Sequence, residues 1–508
     1  MKHRRILSGL AALMLAASLP MSALAREWDI ADGDITIVAD NDGQKVSQGT
    51  ENDISDDNPI IIGNSATNTV SIVAEKDQTA NVTLSGANID GSTKGNAAVS
   101  TTGEGNVSIE LDGDSTLKSG FSHAGLEKNN GGKLTIADED KNGKLTAEGG
   151  KYGAGIGGGD QGAGSGITIT GGEIKATGGQ YGAGIGGGKG AGSDITISGG
   201  EVNATGGTSG AGIGGGYNGN GSDITITDGE VNATGGKYGA GIGGGEYGIG
   251  KDIIITGGEV NATGGRFSAG IGGGSRGTGS DITISGGEVN ASGGVNGAGI
   301  GGGLRSKGKD ITVSGDTKLK VQGGDEDHYD GAGAGIGDGG SNAYGTKILG
   351  AEVEPDTSGL TTGRIEYYAP GADMDKDAPS QTIVGTYIPP QPAREAAAPA
   401  QPAAPLYRVT DGDGKDVSYE TTWRDGVLTV TVEADRAVLT GRLSGIASLQ
   451  AQGIERIVFI TKGATSEFLT ADLLASAPAT ERYGLTHDGE TVTFTAGEAD
   501  VSGILVKA

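Results

Sequence analysis

Along "SDITISGGEVNATGGTSGAGIGGG", residues 193–216, apolar and polar positions alternate in three short runs. In the first, Ile195 and Ile197 fall on one side, and Thr196 and Ser198 on the other. In the second, Val202 and Ala204 oppose Glu201, Asn203 and Thr205. In the third, Ala211 and Ile213 share a side and glycine takes the other. A period of two predicts strands. The Gly-Gly pairs between the runs predict corners, where glycine reaches φ > 0 without a steric penalty.

The pattern returns along the chain. "AGIG" centres on Ile156, Ile185, Ile213, Ile242, Ile271, Ile300 and Ile336, at intervals of 29, 28, 29, 29, 29 and 36. Self-similarity of this kind predicts a solenoid whose units stack only on their neighbours. Three short strands per coil of 29 residues describe a parallel β-helix with Ile, Val and Ala stacked inward. Coils about 4.8 Å apart make the seven units about 30 Å long.

The repetition also decides a motif. "KYGAGIGGG" holds G-x-G-x-x-G at Gly153, Gly155 and Gly158, a spacing that can cradle a dinucleotide pyrophosphate. One nucleotide needs one such loop between a strand and a helix, and nothing between these seven near-copies reads as a helix. The glycines are read as structural.

The flanks differ. Lys2, Arg4 and Arg5 precede an apolar run over residues 6–19, and Ala23-Leu24-Ala25 offers a cleavage site. Residues 1–25 are therefore expected to be a secretory signal peptide, on a run too short to span a bilayer. Residues 26–150 read as irregular coils that cap the array, 151–345 as the regular repeats, and 346–388 as the closing end. A Pro/Ala linker over 389–405 should be semi-extended. Residues 406–508 read as a small α+β domain. In it "VLTVTVE" and "IERIVFIT" are strands, "TSEFLTADLLASA" is helical, and "GLTHDGETVTFT" is a hairpin turning at Asp488-Gly489.

Composition narrows the partners. With no Cys there is neither a disulfide framework nor a thiolate metal site, and no lipid-bearing cysteine after the signal. A formal charge of −27 argues against nucleic acid and is compatible with Ca²⁺ or neutral glycans. The 104 glycines lack the strict third-residue period of collagen. No segment after the signal is apolar enough to cross a membrane.

The repeats "GAGIGGG" and "GGEVNATGG", with the opening "WDIADGDITIV" at 28–38, resemble those of secreted proteins of gut and soil clostridia and their relatives. That family is described as carbohydrate-binding-domain or adhesin-like right-handed β-helix proteins. The resemblance covers about residues 27–345. It implies an all-β, right-handed parallel β-helix and a polysaccharide or cell-surface glycan as partner.

Four places could carry chemistry. On the second strand Glu173, Glu201, Glu230, Glu259 and Glu288 recur, followed two residues later by Lys175, Asn203, Asn232, Asn261 and Asn290. Rows of carboxylates and amides suit hydroxyl-rich sugars, and stacked carboxylates could share Ca²⁺. Equally, they are what a solvated solenoid face presents. The first strand carries a Thr/Ser ladder, Thr168, Thr196, Thr225, Thr283 and Thr312, broken at Ile254. Such flat arrays occur in ice-binding solenoids, and β-branched Thr is also an ordinary outward strand residue.

Tyr152, Tyr181, Tyr238 and Phe267 precede the glycine motif, with Tyr217 and Tyr247 in the loops after it. A ring stripe would stack on pyranose faces. Yet Tyr152 shares strand parity with Ala154 and Ile156, so a continued strand would turn it inward. Binding and capping both stay open. Finally "DEDHYDG" gathers Asp325, Asp327, His328 and Asp330, an expected weak metal site or a solvated acidic loop. The run Asp411, Asp413, Asp416 resembles half of a Ca²⁺ loop, but Thr422 stands where the closing Glu belongs.

The sequence therefore predicts a secreted or cell-surface, non-catalytic, multivalent glycan binder. A polysaccharide lyase or hydrolase on a β-helix is the alternative. A lyase needs clustered Asp or Glu for Ca²⁺ and a placed base, which break repeat symmetry, whereas Lys189, Arg266, Arg276 and Arg305 scatter through variable loops. A structural stalk is the third reading.

Overall fold

The computed structural model describes residues 25–343, 346–385 and 407–506, apart from 413, 416, 425, 477–481 and 498. The expected signal peptide, but for Ala25, and the Pro/Ala linker lie outside the described residues. The chain is a right-handed parallel β-helix followed by a small domain of two sheets and two helices.

Like residues stack on like. Ile197 pairs with Ile226, Ile226 with Ile255 and Ile255 with Ile284. Val202, Val231, Val260 and Val289 form a second column. Ile213, Ile242, Ile271 and Ile300 form a third. All twelve are fully buried. Each such side chain contributes about 1.5–3 kcal/mol, so the core is a line of small contributions rather than one hydrophobic centre. The parallel pairing runs unbroken across residue 150, from Leu134 onto Ile167 and from Leu145 onto Ile174.

The glycines are dictated by this stacking. Gly186, Gly214 and Gly243 have φ of 127°, 127° and 130°, and a Cβ on each would collide with the carbonyl oxygen of the next coil. The amides of the G-x-G-x-x-G copy are already engaged. Gly155 N–H donates to Ala183 C=O, Gly158 N–H to Gly186 C=O, and Gly153 N–H to Gly150 C=O. Those of Gly155 and Gly158 are coil-to-coil bonds and leave no cradle for phosphate.

Both ends are closed, as exposed strand edges require. At the N-terminal end the strands Ile35–Asp40, Gly43–Gln48 and Glu51–Ser55 run antiparallel. Trp28 is buried beside them and its Nε1 donates to Asp56 Oδ2 at 2.9 Å. At the other end Arg364–Tyr368 adds in parallel to Lys318–Gln322, and Gln381–Val384 folds back antiparallel over it.

Residues 407–506 carry a five-stranded and a four-stranded sheet with helices α1 (Leu443–Ala451) and α2 (Thr470–Ser476). The expected long helix over "TSEFLTADLLASA" is half strand. Thr465–Leu469 pairs with Arg456–Ile460, burying Ser466 and Phe468 in alternation, and only Thr470–Ser476 is helical. The hairpin at Asp488-Gly489 forms, with Asp488 opposite Thr491 and Gly489 at φ 64°.

Candidate functional site

On the Glu-Val-Asn-Ala-Thr strands the Glu side chains are exposed and the Asn half-buried. The Asn residues bond one another along the axis. Asn232 Nδ2 donates to Asn203 Oδ1 at 3.1 Å, Asn261 to Asn232 at 2.9 Å, and Asn290 to Asn261 at 2.8 Å. Asn203 and Asn232 also reach Glu201 and Glu230, at 3.1 and 3.4 Å. A carboxamide has two donors and an oxygen with two lone pairs, so the ladder spends much of its capacity on itself.

The Glu row is closed by cations. Lys144 pairs with Glu173 at one end, and Lys318 Nζ lies 3.7 Å from Glu288 at the other. Glu201, Glu230 and Glu259 remain as the inner acidic row.

The insertion does not assemble a metal centre. Asp330 is buried and takes a two-pronged contact from Arg305, Nε to Oδ1 at 2.9 Å and an Nη to Oδ2 at 3.0 Å, with Asn342 Nδ2 at 3.0 Å. Asp327 accepts the N–H groups of Tyr329 and Asp330. Burial raises its pKa, but these bonds and the charges of Arg266 and Lys347 outweigh that and hold it below the usual range. Asp325 stands exposed. The three carboxylates therefore point into different partnerships, and the loop is held by an Arg–Asp clamp. Carboxylates do converge elsewhere: Glu110, Asp138 and Asp140 bring oxygens within 4.8 Å of one another. Burial, with the neighbouring acids, raises the Glu110 pKa. Asp411 accepts Lys415 N–H at 2.9 Å, so the described part of that acidic run is a turn.

The Thr ladder is not an open plane. Its residues Thr196, Thr225, Ile254, Thr283 and Thr312 line a cavity of about 960 Å³ under α1 of the C-terminal domain. Arg442 just before α1 lies 3.1 Å from Asp223 and 3.8 Å from Asp252. The Asp row it meets, Asp194, Asp223, Asp252, Asp281 and Asp310, sits at φ between 51° and 54°. Asp tolerates that left-handed region better than most residues. The pattern was present in the sequence as the residue before the first strand's apolar run in five successive coils, but strand parity alone gave it no role.

The rings turn outward. Gly153 N–H closes a turn onto Gly150 C=O, which resets the parity that would have buried Tyr152. Tyr152 and Tyr181 stack with centroids 5.1 Å apart and an interplanar angle of 13°. Tyr238 and Phe267 stack at 5.8 Å and 11°. Edge contacts extend the stripe: Phe121 to Tyr152 at 5.0 Å, Tyr181 to Tyr217 at 5.5 Å, and Tyr217 to Tyr247 at 6.1 Å. The stacked rings are half-buried, whereas Phe121 is 58% and Tyr247 46% exposed. One column therefore runs across Phe121, Tyr152, Tyr181, Tyr217 and Tyr247, with the Tyr238–Phe267 pair in the same position two coils on from Tyr181. The gap between them falls at Ser209, which bonds Glu246.

At the start of this stripe the repeat symmetry breaks. His123 Nδ1 lies 2.8 Å from Glu127 Oε2, and Glu127 is buried and also holds the Ala124 N–H and Asn129. The adjacent Lys128 is buried, and desolvation, opposed by Asp194, lowers its pKa to about 8.

Six stretches of the chain, 141–160, 167–189, 195–217, 224–246, 253–275 and 282–304, match the family described as a beta helix repeat. The chain is thus a repeat protein of the parallel β-helix class. No curated protein and no solved structure matches it. No helix among the described residues is long and apolar enough to cross a membrane.

Proposed function

We propose that this chain is a secreted or cell-surface glycan-binding protein, non-catalytic and multivalent, with a polysaccharide or cell-surface glycan as partner. The aromatic stripe carries the reading. The rings stack on one another from coil to coil, half-buried, with Phe121 and Tyr247 more exposed, and so present a rigid aromatic strip at little entropic cost. The rings follow the axis of the solenoid, interrupted at Ser209, so a linear polysaccharide running along the axis meets several of them. The Glu and Asn ladders flank this role. The inner Glu201, Glu230 and Glu259 are where Ca²⁺ would relieve like-charge repulsion and hold sugar hydroxyls. The test is a glycan array with the full chain, run with Ca²⁺ and with chelator. Retention of glycans is expected. Retention of none would leave a structural stalk as the better reading, and retention indifferent to chelator would remove Ca²⁺ from it.

One observation favours the enzymatic alternative. His123, oriented by Glu127, is the kind of base a lyase needs to take the proton alpha to a uronate carboxyl. Prolonged incubation with polygalacturonate, read as the ultraviolet absorbance of an unsaturated product, separates the two. Product that disappears in His123→Ala would make this chain an enzyme.

A further inference from the structure

The basic residues that look scattered in the sequence gather on the rings. Lys151 Nζ is 5.3 Å from the Phe121 centroid, 5.4 Å from Tyr152 and 5.8 Å from Tyr181. Lys189 is 5.7 Å from Tyr152 and Lys237 is 4.8 Å from Tyr238. Arg266 is 4.9 Å from Phe267, and Arg276 is 5.9 Å from Tyr247. Among the described residues none of these five cations lies within 4.0 Å of a carboxylate, although the chain has 64 acidic residues against 37 basic ones.

Resting on the glycan-binding reading, we propose that the stripe takes an acidic polysaccharide of uronate type, lying along the solenoid axis. A cation over a ring gains about 0.5–1 kcal/mol when exposed, and that contact does not neutralise it, although Arg266 also acts on Asp327 at longer range. These cations lie over the rings themselves, so a sugar set against the stripe meets a cation together with the ring. A carboxylate there gains a charge-assisted bond, single from Lys and forked from Arg. The rest of the surface repels the same polymer, which confines it to the stripe.

The count favours one charge per sugar over several. The five cations are spread over four of the five coils from Ile156 to Ile271, with Arg266 and Arg276 sharing the last and none on the Ile213 coil, so they are sparse along the axis. A uronate brings one carboxylate per ring, whereas a heavily sulfated chain brings several.

The experiment uses the full chain and affinity electrophoresis in chelator. The probes are polygalacturonate, its fully methyl-esterified form, and heparin. The ester keeps the sugar and removes the charge. Polygalacturonate is expected to bind roughly tenfold or more tighter than the ester, the worth of about one charge-assisted contact. The advantage should shrink with added salt. The triple variant Lys151→Gln, Lys237→Gln, Arg266→Gln should lose that advantage and keep its hold on the ester. Tyr152→Ala with Tyr181→Ala should weaken both. Equal binding of acid and ester overturns the uronate assignment while glycan binding stands. Polygalacturonate binding that survives the triple variant also overturns it. Heparin preferred over polygalacturonate reassigns the cations to sulfate. Binding of none of the probes overturns the uronate assignment, and the glycan array then decides whether glycan binding survives it.

Discussion

Asn261 shows how far one residue type can be read. Its recurrence two places after Glu marks an outward row, which the sequence displays plainly. What the sequence does not display is the direction of the amides, because that depends on neighbours 29 residues away. Asn261 donates to Asn232 and accepts from Asn290, so Asn261→Ala strands two half-buried partners. We expect a loss of about 1–2 kcal/mol, seen as a lower urea midpoint at unchanged slope. Tyr152 is the opposite case. Parity alone turns its ring inward, and a single turn hydrogen bond from Gly153 to Gly150 sends it outward.

His487 is a residue whose chemistry is purely structural. It is fully buried between Ser466 Oγ at 2.7 Å and Thr461 Oγ1 at 3.0 Å. The trio resembles a nucleophilic arrangement, but Ser466 is wholly enclosed. Burial lowers the His487 pKa from 6.5 to about 4. Between those values the unfolded chain takes up a proton that the folded domain refuses. Stability is therefore full above pH 6.5, falls as the pH drops, and levels off below about 4. The loss is on the order of 3 kcal/mol. Denaturant titrations from pH 7 to 4 should show that slope in the C-terminal domain, and His487→Phe should flatten it.

Among elements, the glycine strand constrains the solenoid most tightly. Gly214 has φ 127°, and a Cβ there would strike Gly243. Gly214→Ala should cost at least about 3 kcal/mol, measured as a fall in the unfolding midpoint. Surface Thr205→Ala on the same coil should cost well under 1 kcal/mol. The coil was legible because period-two alternation and a fixed interval reinforce each other at every repeat. The strand Thr465–Leu469 was not, because "TSEFLTADLLASA" is a single non-repeated run in which helix and strand patterns overlap. Pairing with Arg456–Ile460 decides it.

The whole molecule separates its charges. A chain of net −27 keeps a row of acids on one side of the solenoid and an unpaired set of cations on its aromatic corner. The sequence exposes the rings and cations individually, but they lie in different loops and only coiling brings them together. The acidic insertion is the complementary case. Asp325, Asp327 and Asp330 are close in sequence, yet Arg305 from the preceding coil draws Asp330 away. Proximity along the chain is a poor guide in a fold whose contacts recur every 29 residues.

The most direct measurement compares two full-length variants for binding to the glycan that the array selects. One replaces Tyr152, Tyr181, Tyr238 and Phe267 with Ala, and the other replaces Glu230 and Asn232 with Ala. Circular dichroism and the urea midpoint establish that both are folded. If the rings form the binding surface, the first variant loses affinity by roughly tenfold or more and the second keeps most of it. Loss in the second with retention in the first would contradict the aromatic stripe as the site and move binding to the Glu/Asn face.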